Sequence, residues 1–415
     1  MSLNILSNVA LAYEPVWGPS RQLEAVRLRV RTLHPESVDA AHLLGLLSEE
    51  WSAESPPLIV SFTERGLLNQ ALLLSPFDHI QLELPDLGPA PPPEFVQRLG
   101  PARKLGHRFV QQTPLARARP DATDGRGPPL RCVMTLSPEE VQVVLQLVDR
   151  AVNGGTGPRI QSPVLREQMV EGITSRTVAA HCLDDRSAWG VSGWPVADAL
   201  RAHRHHGVRP DRSTMVRLQQ ALMRDRSTDV VEDVIHHDPV LTFRVLRLVN
   251  SPVFGSTRQV ETIRQAILLL GQRALSNWLM EQLPGASPEK DLVPVRHGMV
   301  LRARFVTTLM DPGPQTELRA EVYVAGLFSQ LDLMTHEPLA KTLARVPLSE
   351  RITASLLRED GPYKAYIDIA RSMEGFEQGD AVVSLSRLYG FPLDDVNRAL
   401  IRTLAHWRNP DQPGG

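Results

Sequence analysis

Residues 235 to 271 read IHHDPVLTFRVLRLVNSPVFGSTRQVETIRQAILLLG, and this stretch predicts two helices joined by a short turn. Asp238 can cap the first helix with its carboxylate, and Pro239 then takes the first helical position, where its missing N–H costs nothing. Apolar residues follow at the spacing of one helix face, at Leu241, Val245 and Leu248. The first helix is therefore predicted to bury this face.

Turn-forming residues separate the two predicted helices. Asn250 and Ser251 follow the first helix, where an asparagine side chain can close the helix and satisfy the backbone of the turn. No histidine base lies in their immediate sequence, so we predict a structural role for this pair rather than a nucleophilic one. The second helix has its apolar face at Ile263, Ala266, Ile267 and Leu270. Gly271 is predicted to end it, as glycine commonly does just past a helix.

This stretch resembles the HDOD domain, the HD-related output domain of bacterial signalling proteins. The matching positions are Ile235, Asp238, Pro239, Leu241, Leu246, Leu248, Asn250, Ser251, Phe254, Ala266, Ile267, Leu270 and Gly271. The resemblance implies an all-helical domain related to HD-type phosphohydrolases and commonly without their metal site. Ser329 and Gln330 stand where catalytic relatives have their metal-binding pair, and neither is a good ligand for a divalent ion. The dipeptide His237-Asp238 has the same two residues as that metal-binding pair, but we expect Asp238 to act as a helix cap.

The composition is that of an ordinary globular protein. The chain has 415 residues, 42% of them hydrophobic, which is enough for two or three domains with their own cores. Two cysteines cannot form a disulfide framework, and the sequence shows neither a signal peptide nor the roughly 20 apolar residues of a membrane span. We therefore expect a cytoplasmic protein. The net charge of -2 gives no general attraction to nucleic acid, so no nucleic-acid partner is expected.

The first 200 residues alternate between strand and helix patterns, which favours an α/β domain. Strands are predicted at residues 10–16, 25–31, 57–62 and 79–84, and again at 176–181. On the second strand, one face carries Val26, Leu28 and Val30, and the other carries Arg27, Arg29 and Arg31. Residues 115–129 mix Pro, Gly, Arg and Asp without a period and predict a loop. Ser137 and Glu140 form a capping box that starts a further helix.

This half of the chain resembles a shortened EAL domain, the cyclic di-GMP phosphodiesterase barrel, over about residues 8–200. The resemblance rests on Tyr13, Pro15 and Val16, on Glu83 within LELPD, and on GWPV at residues 193–196. It implies a metal-binding glutamate on the second strand, where this chain has Arg27, a permanent cation that cannot ligate a metal. It also implies paired aspartates, which residues 106–119 lack, and a catalytic lysine, although residues 105–200 contain no lysine. We therefore expect no catalytic residue, metal site or bound cofactor.

The remaining histidines are predicted to be structural. His203, His205 and His206 do not share a helix face and have no cysteine or acid close in sequence, which favours a linker over a metal site. His297 could stand where a further family histidine would, but one histidine cannot hold a binuclear site. We expect it to be a hydrogen-bonded or surface residue.

The sequence thus predicts an α+β multidomain chain with a degenerate EAL-like α/β barrel at 1–200 and an all-α HDOD domain at 201–410. Our hypothesis is a non-enzymatic bacterial signal-transduction protein, a scaffold or adaptor that contacts other signalling proteins and is compatible with a homodimer. Arg27, Arg29 and Arg31 are candidate contacts for a ligand or partner. Cyclic di-GMP is not the expected partner, although a cyclic di-GMP receptor and a residual cyclic di-GMP phosphodiesterase stay open as alternatives.

Overall fold

The computed structural model describes residues 5–89, 92–118, 131–153, 161–252, 259–311, 313, 315–375 and 379–409. Most of the predicted loop at 115–129 lies outside these residues, as does Phe254. The strands are β1 Val9–Trp17, β2 Leu23–Thr32, β3 Leu58–Phe62, β4 Ile80–Leu84, β5 Arg108–Pro114, β6 Arg131–Thr135, β7 Met169–Glu171 and β8 Gly190–Ser192.

The helices of the first half are α1 Ala40–Glu50, α2 Arg65–Ala71, α3 Pro93–Leu105, α4 Pro138–Asn153 and α5 Arg176–Ala180. Those that follow are α6 Val196–Arg201, α7 Arg212–Met223, α8 Thr228–His236, α9 Pro239–Val249, α10 Ile263–Gln282, α11 Val293–Met310, α12 Thr316–Phe328, α13 Leu331–Thr335, α14 Leu339–Leu343, α15 Glu350–Thr353, α16 Lys364–Ser372, α17 Gly379–Tyr389 and α18 Leu393–Ala405. Among the residues that the structure describes, no helix combines the length and hydropathy that a bilayer span requires.

The eight strands form a closed barrel in sequence order. β1 is antiparallel to both of its neighbours, β2 and β8, whereas neighbouring strands from β2 to β8 run parallel. The carboxyl ends of these seven strands therefore meet at one end of the barrel. A barrel followed by a helical region confirms the predicted order of the two fold classes.

The strands predicted in the first 84 residues correspond to β1 through β4. On β2, Val26, Leu28 and Val30 are fully buried on one face, and Arg27 on the opposite face is equally buried, so both faces are covered in the middle of this strand. The strand predicted at residues 176–181 is wrong, because α5 begins there. The Ser175 hydroxyl accepts a hydrogen bond from the Thr177 N–H at 3.2 Å and caps this helix, an arrangement that the β-branched residues nearby conceal in the sequence.

The interior of the barrel holds an apolar layer. Six strands contribute one residue each to a buried cluster: Val16, Ala25, Ile59, Val110, Val133 and Met169. Since these strands lie all around a closed barrel, the cluster fills its interior. Residues two positions away on the same strand share the same orientation. Those after the cluster on the parallel strands, and the one before it on the antiparallel β1, must therefore form the next interior layer.

The contacts divide the chain into two compact units, one of Met1–Pro195 with Ser372–Gly415 and one of Val196–Arg371. The last helices thus belong with the barrel. The buried Asn397 side chain donates hydrogen bonds to the backbone oxygens of Leu6, at 2.8 Å, and Val9, at 2.7 Å. These units differ from the predicted division at 1–200 and 201–410, because the α17–α18 segment has the helical period of the second half but packs on β1.

Within the helical unit, α9, α10 and α11 supply more buried apolar residues than any other helix. α9 is buried over most of its length, including Leu241, Val245 and Leu246. α10 contains one non-helical residue, Gly271, with φ 71° and ψ 159°, which interrupts the helix where the sequence predicts its end. The range Ile263–Gln282 therefore consists of two helical segments joined by a kink at Gly271.

Candidate functional site at the carboxyl end of the barrel

A polar layer lies next to the apolar layer inside the barrel. Arg27, Thr135 and Glu171 lie two residues after Ala25, Val133 and Met169, and Glu14 lies two residues before Val16 on the antiparallel strand. Strand periodicity therefore places these polar side chains together, nearer the carboxyl ends of the parallel strands. This end of a parallel barrel is where enzymes of this architecture build their active sites.

Arg27 is the centre of this polar layer. Its Nη2 donates to Glu83 Oε1 at 2.6 Å and its Nε donates to Glu83 Oε2 at 3.2 Å, which makes a bidentate pair. Its Nη1 donates to Glu14 Oε2 at 2.8 Å, Glu171 Oε2 at 2.9 Å and Ser192 Oγ at 3.1 Å. One guanidinium thus joins β1, β2, β4, β7 and β8 across the barrel.

Burial decides the electrostatics of this cluster. The side chains of Arg27 and Glu83 are 0% and 1% exposed, whereas those of Glu14 and Glu171 are 21% and 20% exposed. Burial opposes the charge of Arg27, but attraction from Glu83 and the other two carboxylates outweighs it and raises the pKa of Arg27. Arg27 therefore stays cationic, and its bidentate pair with Glu83 is the driest part of the layer.

The other predicted arginines of β2 lie further towards the carboxyl end. Burial is the largest effect on Arg29 and lowers its pKa; Glu83 opposes this, and repulsion from Arg27 adds to it. Arg31 forms an ion pair with Asp380 at 2.6 Å, with side chains 32% and 88% exposed. The three arginines thus run from the buried layer to the surface, about 7 Å apart along the strand.

The polar layer as it stands does not fit a divalent metal ion. Both oxygens of Glu83 and one oxygen each of Glu14 and Glu171 already accept hydrogen bonds from Arg27. The second oxygen of Glu171 accepts from the Thr135 hydroxyl at 2.6 Å. Within the described part of the chain, no group of three or more His, Cys, Asp and Glu side chains is arranged to hold a metal. The guanidinium occupies the position where shared carboxylate oxygens would converge on a cation.

In the helical unit, Asp238 acts as a buried cap. Its Oδ1 accepts hydrogen bonds from the backbone N–H groups of Val240, at 2.8 Å, and Leu241, at 3.1 Å, at the start of α9. Its Oδ2 accepts from the Asp211 N–H and lies 3.4 Å from Arg296 Nε. Burial raises the pKa of Asp238, and Arg296 lowers it. Every strong contact of this carboxylate is structural, which leaves none for a ligand.

The Asn250 side chain fixes the turn after α9. Its Nδ2 donates to the backbone oxygens of Leu246 and Val260, each at 2.8 Å, and its Oδ1 accepts from the Val260 N–H at 2.9 Å. Ser251 lies beside it at the rim of a pocket. Among the described residues, no hydrogen bond joins Ser251 to a histidine, and the structural role of the pair stays a prediction.

The histidines near the HD-like dipeptide are buried. His237 Nδ1 lies 2.7 Å from the Asp233 backbone oxygen, and its Nε2 accepts from Arg304 Nη2 at 3.0 Å. Burial, with Arg304 as the next cause, lowers the pKa of His237 to about 4. Burial and the neighbouring His237 lower the pKa of His297 well below its usual value. These imidazoles are therefore neutral at pH 7 and serve as packed polar groups.

Two other positions singled out in the sequence, Ser329 and His203, belong to the helical unit. Ser329 donates to the Gly326 backbone oxygen at 2.8 Å and accepts from Arg302 at 3.4 Å, which is a helix-end arrangement. His203 Nε2 lies 3.0 Å from Glu289 Oε2. Each therefore has a local structural partner.

The sequence identified Arg27 and Glu83 but missed other members of the polar layer. Glu14 lies on a predicted strand, so its alternation with Val16 could have placed it inside the barrel. Glu171 and Ser192 end strands of three residues each, and three residues carry no periodic signal. Closure of the barrel, rather than local sequence, brings them to Arg27.

The chain thus combines a closed barrel that has a polar layer at its carboxyl end with a helical unit. Residues 210–334 match the HDOD domain, which confirms that part of the predicted resemblance. The barrel agrees with the predicted α/β architecture, but its identity as an EAL domain is not established by this match.

Two curated relatives share part of the chain. It is 25% identical over 173 residues to Cyclic di-GMP phosphodiesterase CdgJ of Vibrio cholerae serotype O1, covering 41% of this chain and 39% of the relative. It is 23% identical over 150 residues to the uncharacterized protein YuxH of Bacillus subtilis strain 168, covering 35% of this chain and 36% of the relative. The chain thus spans less than half the length of the curated relatives it matches.

Among solved structures, the MmoQ response regulator of Methylococcus capsulatus strain Bath has a TM-score of 0.37 and 17% identity. The match covers 47% of this chain and 98% of the regulator. A virulence factor of Campylobacter jejuni subsp. jejuni has the same TM-score, with 16% identity, covering 50% of this chain and 98% of that one. Scores of this size are too low to support a functional assignment.

The relative from Vibrio cholerae contradicts the expectation that the chain is not an enzyme. That expectation equated the loss of expected metal ligands with the loss of activity, yet a chain with detectable identity carries the name of a phosphodiesterase. The same relative weakens the expectation that cyclic di-GMP is no partner. The protein partner, the homodimer and the adaptor role stay predictions.

Proposed function

We propose that the chain is a bacterial signal-transduction protein whose barrel binds cyclic di-GMP at the carboxyl end of its strands. The observation that carries the proposal is the row of arginines on β2, which rises from the buried polar layer towards the open end of the barrel. The relative named as a cyclic di-GMP phosphodiesterase supports the choice of ligand.

Electrostatics restricts where such a ligand can bind. Arg27 is surrounded by Glu14, Glu83 and Glu171, so these four side chains together carry two negative charges and repel a phosphodiester. Arg29 lies about 7 Å further along the strand and bears a positive charge on a half-buried side chain. An anionic ligand there would offset the burial that lowers the pKa of Arg29. We therefore assign the phosphate contact to Arg29, with Arg27 ordering the layer beneath it.

Calorimetric titration of the full chain with cyclic di-GMP tests this proposal. We expect saturable binding and an affinity at least about tenfold weaker in Arg29→Ala, since a guanidinium–phosphate contact of this kind contributes about 1.5–3 kcal/mol. Arg108→Ala is the matched control, because Arg108 is exposed at the amino end of β5 and its loss removes the same charge. No heat at high micromolar ligand, or equal affinity in Arg29→Ala, would refute the proposal.

A second candidate is phosphodiesterase activity, which the name of the Vibrio cholerae relative favours. The assay incubates the full chain with cyclic di-GMP in Mg²⁺ or Mn²⁺ and follows the linear dinucleotide product by chromatography. Product that Glu83→Gln abolishes and Arg108→Ala preserves would support this candidate. Binding without any product in either metal would support the receptor function alone.

A further inference from the structure

The helical unit contains a pocket of about 460 Å³ next to the turn that Asn250 fixes. Its described lining residues include Arg244, Arg247 and Arg345, together with the half-buried ring of Trp278, and none of them is acidic. This volume lies in the range of roughly 300–1,000 Å³ that is usual for small-molecule sites. The pocket is thus large enough for a ligand and lined mostly by cationic and neutral groups.

Three guanidinium groups around one pocket need an explanation, because like charges that converge destabilise one another. Arg247 lies in the last turn of α9, where a cation is favoured by the helix dipole. This accounts for Arg247 but not for Arg244, one turn earlier, which is half buried and, among the described residues, donates to a neutral group, Gln282 Oε1, at 3.2 Å.

The third arginine comes from a different part of the unit. Arg345 follows α14 and forms an ion pair with Glu337, which offsets its own charge. Arg244 and Arg247 have no such carboxylate partner among the described residues, and burial, followed by repulsion from Arg247, lowers the pKa of Arg244. The charge balance of the pocket therefore favours an anion close to Arg244 and Arg247.

Trp278 adds a second kind of recognition. Its indole is half buried in the wall of the same pocket, so one part of the ring is available to a flat ligand group. Guanidinium groups match phosphate oxygens in planar, two-point hydrogen bonds, and an indole face stacks on aromatic rings. We propose that this pocket binds a small phosphate ester that carries a flat ring, of which a nucleoside monophosphate is the simplest biological form.

Every lining residue that the structure describes belongs to the helical unit, so binding in this pocket is independent of the ligand proposed for the barrel. In the proposed complex, Arg244 and Arg247 contact the phosphate and Trp278 stacks on the ring. Ser251 lies at the polar rim of the pocket. Asn250 is a positioning residue, since its amide is already bonded to the backbone on both sides of the turn.

Equilibrium titration of the full chain with guanosine 5′-monophosphate, guanosine and inorganic phosphate tests the assignment. We expect the monophosphate to bind, phosphate to compete with it and guanosine to bind at least about tenfold more weakly. Arg247→Ala should weaken monophosphate binding about tenfold, and Trp278→Leu should weaken the monophosphate while leaving inorganic phosphate unchanged. Arg247 is exposed, so its replacement is compatible with folding, which an unchanged Tm would verify.

Arg273→Ala is the matched control, because Arg273 is an exposed arginine on the same helix as Trp278 and lies outside the pocket. It should retain full affinity. Equal loss of affinity in Arg273→Ala and Arg247→Ala would indicate only general charge attraction and would overturn the proposal. Absence of monophosphate binding at millimolar concentration would overturn it too. Binding that Arg29→Ala weakens would place the ligand in the barrel instead.

Discussion

Replacing Arg27 by leucine should lower the free energy of unfolding of the barrel unit by about 3–5 kcal/mol. The magnitude follows from Glu83, whose side chain is 1% exposed and bonds Arg27 through both oxygens. Without the guanidinium this carboxylate stays buried and without its counter-ion. Glu14 and Glu171 add less, because each is about one-fifth exposed and water can solvate its charge.

Urea unfolding of the full chain, followed by circular dichroism and tryptophan fluorescence, measures this change. Arg31→Leu is the control on the same strand: its ion pair with the 88% exposed Asp380 should contribute less than about 1 kcal/mol. The double variant Arg27→Leu/Glu83→Gln removes the stranded charge and should recover at least about 1 kcal/mol of the loss.

This prediction would be wrong if the free energy of unfolding of Arg27→Leu lay within about 0.5 kcal/mol of that of Arg31→Leu. It would also be refuted if the double variant were no more stable than Arg27→Leu, because the carboxylate of Glu83 would then not be the source of the loss. Ligand binding plays no part in these measurements, so their outcome is independent of the proposed function.

Three further changes test the helical unit. Asp238→Ala removes a helix cap and one of the two carboxylates beside the 2% exposed Arg296, the other being Asp211 at 3.7 Å, so we expect a loss of about 2–4 kcal/mol in urea unfolding, and a smaller one for Asp238→Asn, which keeps an acceptor. The added methyl group of Gly271→Ala meets no atom within 4 Å, but the φ of 71° at this position should lower the free energy of unfolding by about 1 kcal/mol. Gly298→Ala inside α11 is the control and should not lower it. Burial, with Arg304 next, lowers the pKa of His237 from 6.5 to about 4, so the unfolded chain takes up the proton first. The free energy of unfolding should therefore be highest above pH 6.5 and fall towards pH 4; His237→Gln should flatten that slope, and an unchanged slope would contradict it.

Local signals in the sequence predicted the parts of the fold that depend on neighbours along the chain. Asp238 before Pro239 is such a signal, and the alternation on β2 is another. Both follow from side chains that bond or pack within a few residues. The strand predicted at 176–181 is wrong for a related reason: one hydroxyl at Ser175 decides a five-residue helix, and composition alone does not register it.

The polar layer is formed by contacts between residues that lie far apart in the chain, and a local sequence pattern cannot predict such contacts. Arg27 meets carboxylates that lie 13, 56 and 144 residues away in the chain. The sequence alone indicates only that Arg27 cannot ligate a metal ion. What it does instead, holding three glutamates in one layer, requires the closed barrel. The absence of the expected metal ligands was therefore a weaker guide to activity than the strand and helix patterns were to the fold.

The contacts of Asn397 have a consequence for how the chain is made. This residue bonds the backbone oxygen of Val9, 388 positions earlier. At a synthesis rate of roughly 5–20 residues per second, the first strand waits about 20–80 s for that partner. During translation all eight strands and the helical unit emerge before α18, so the backbone oxygens of Leu6 and Val9 lack their Asn397 partner until the last helix is made. The barrel unit is then the later of the two to mature, because α17 and α18 belong to it.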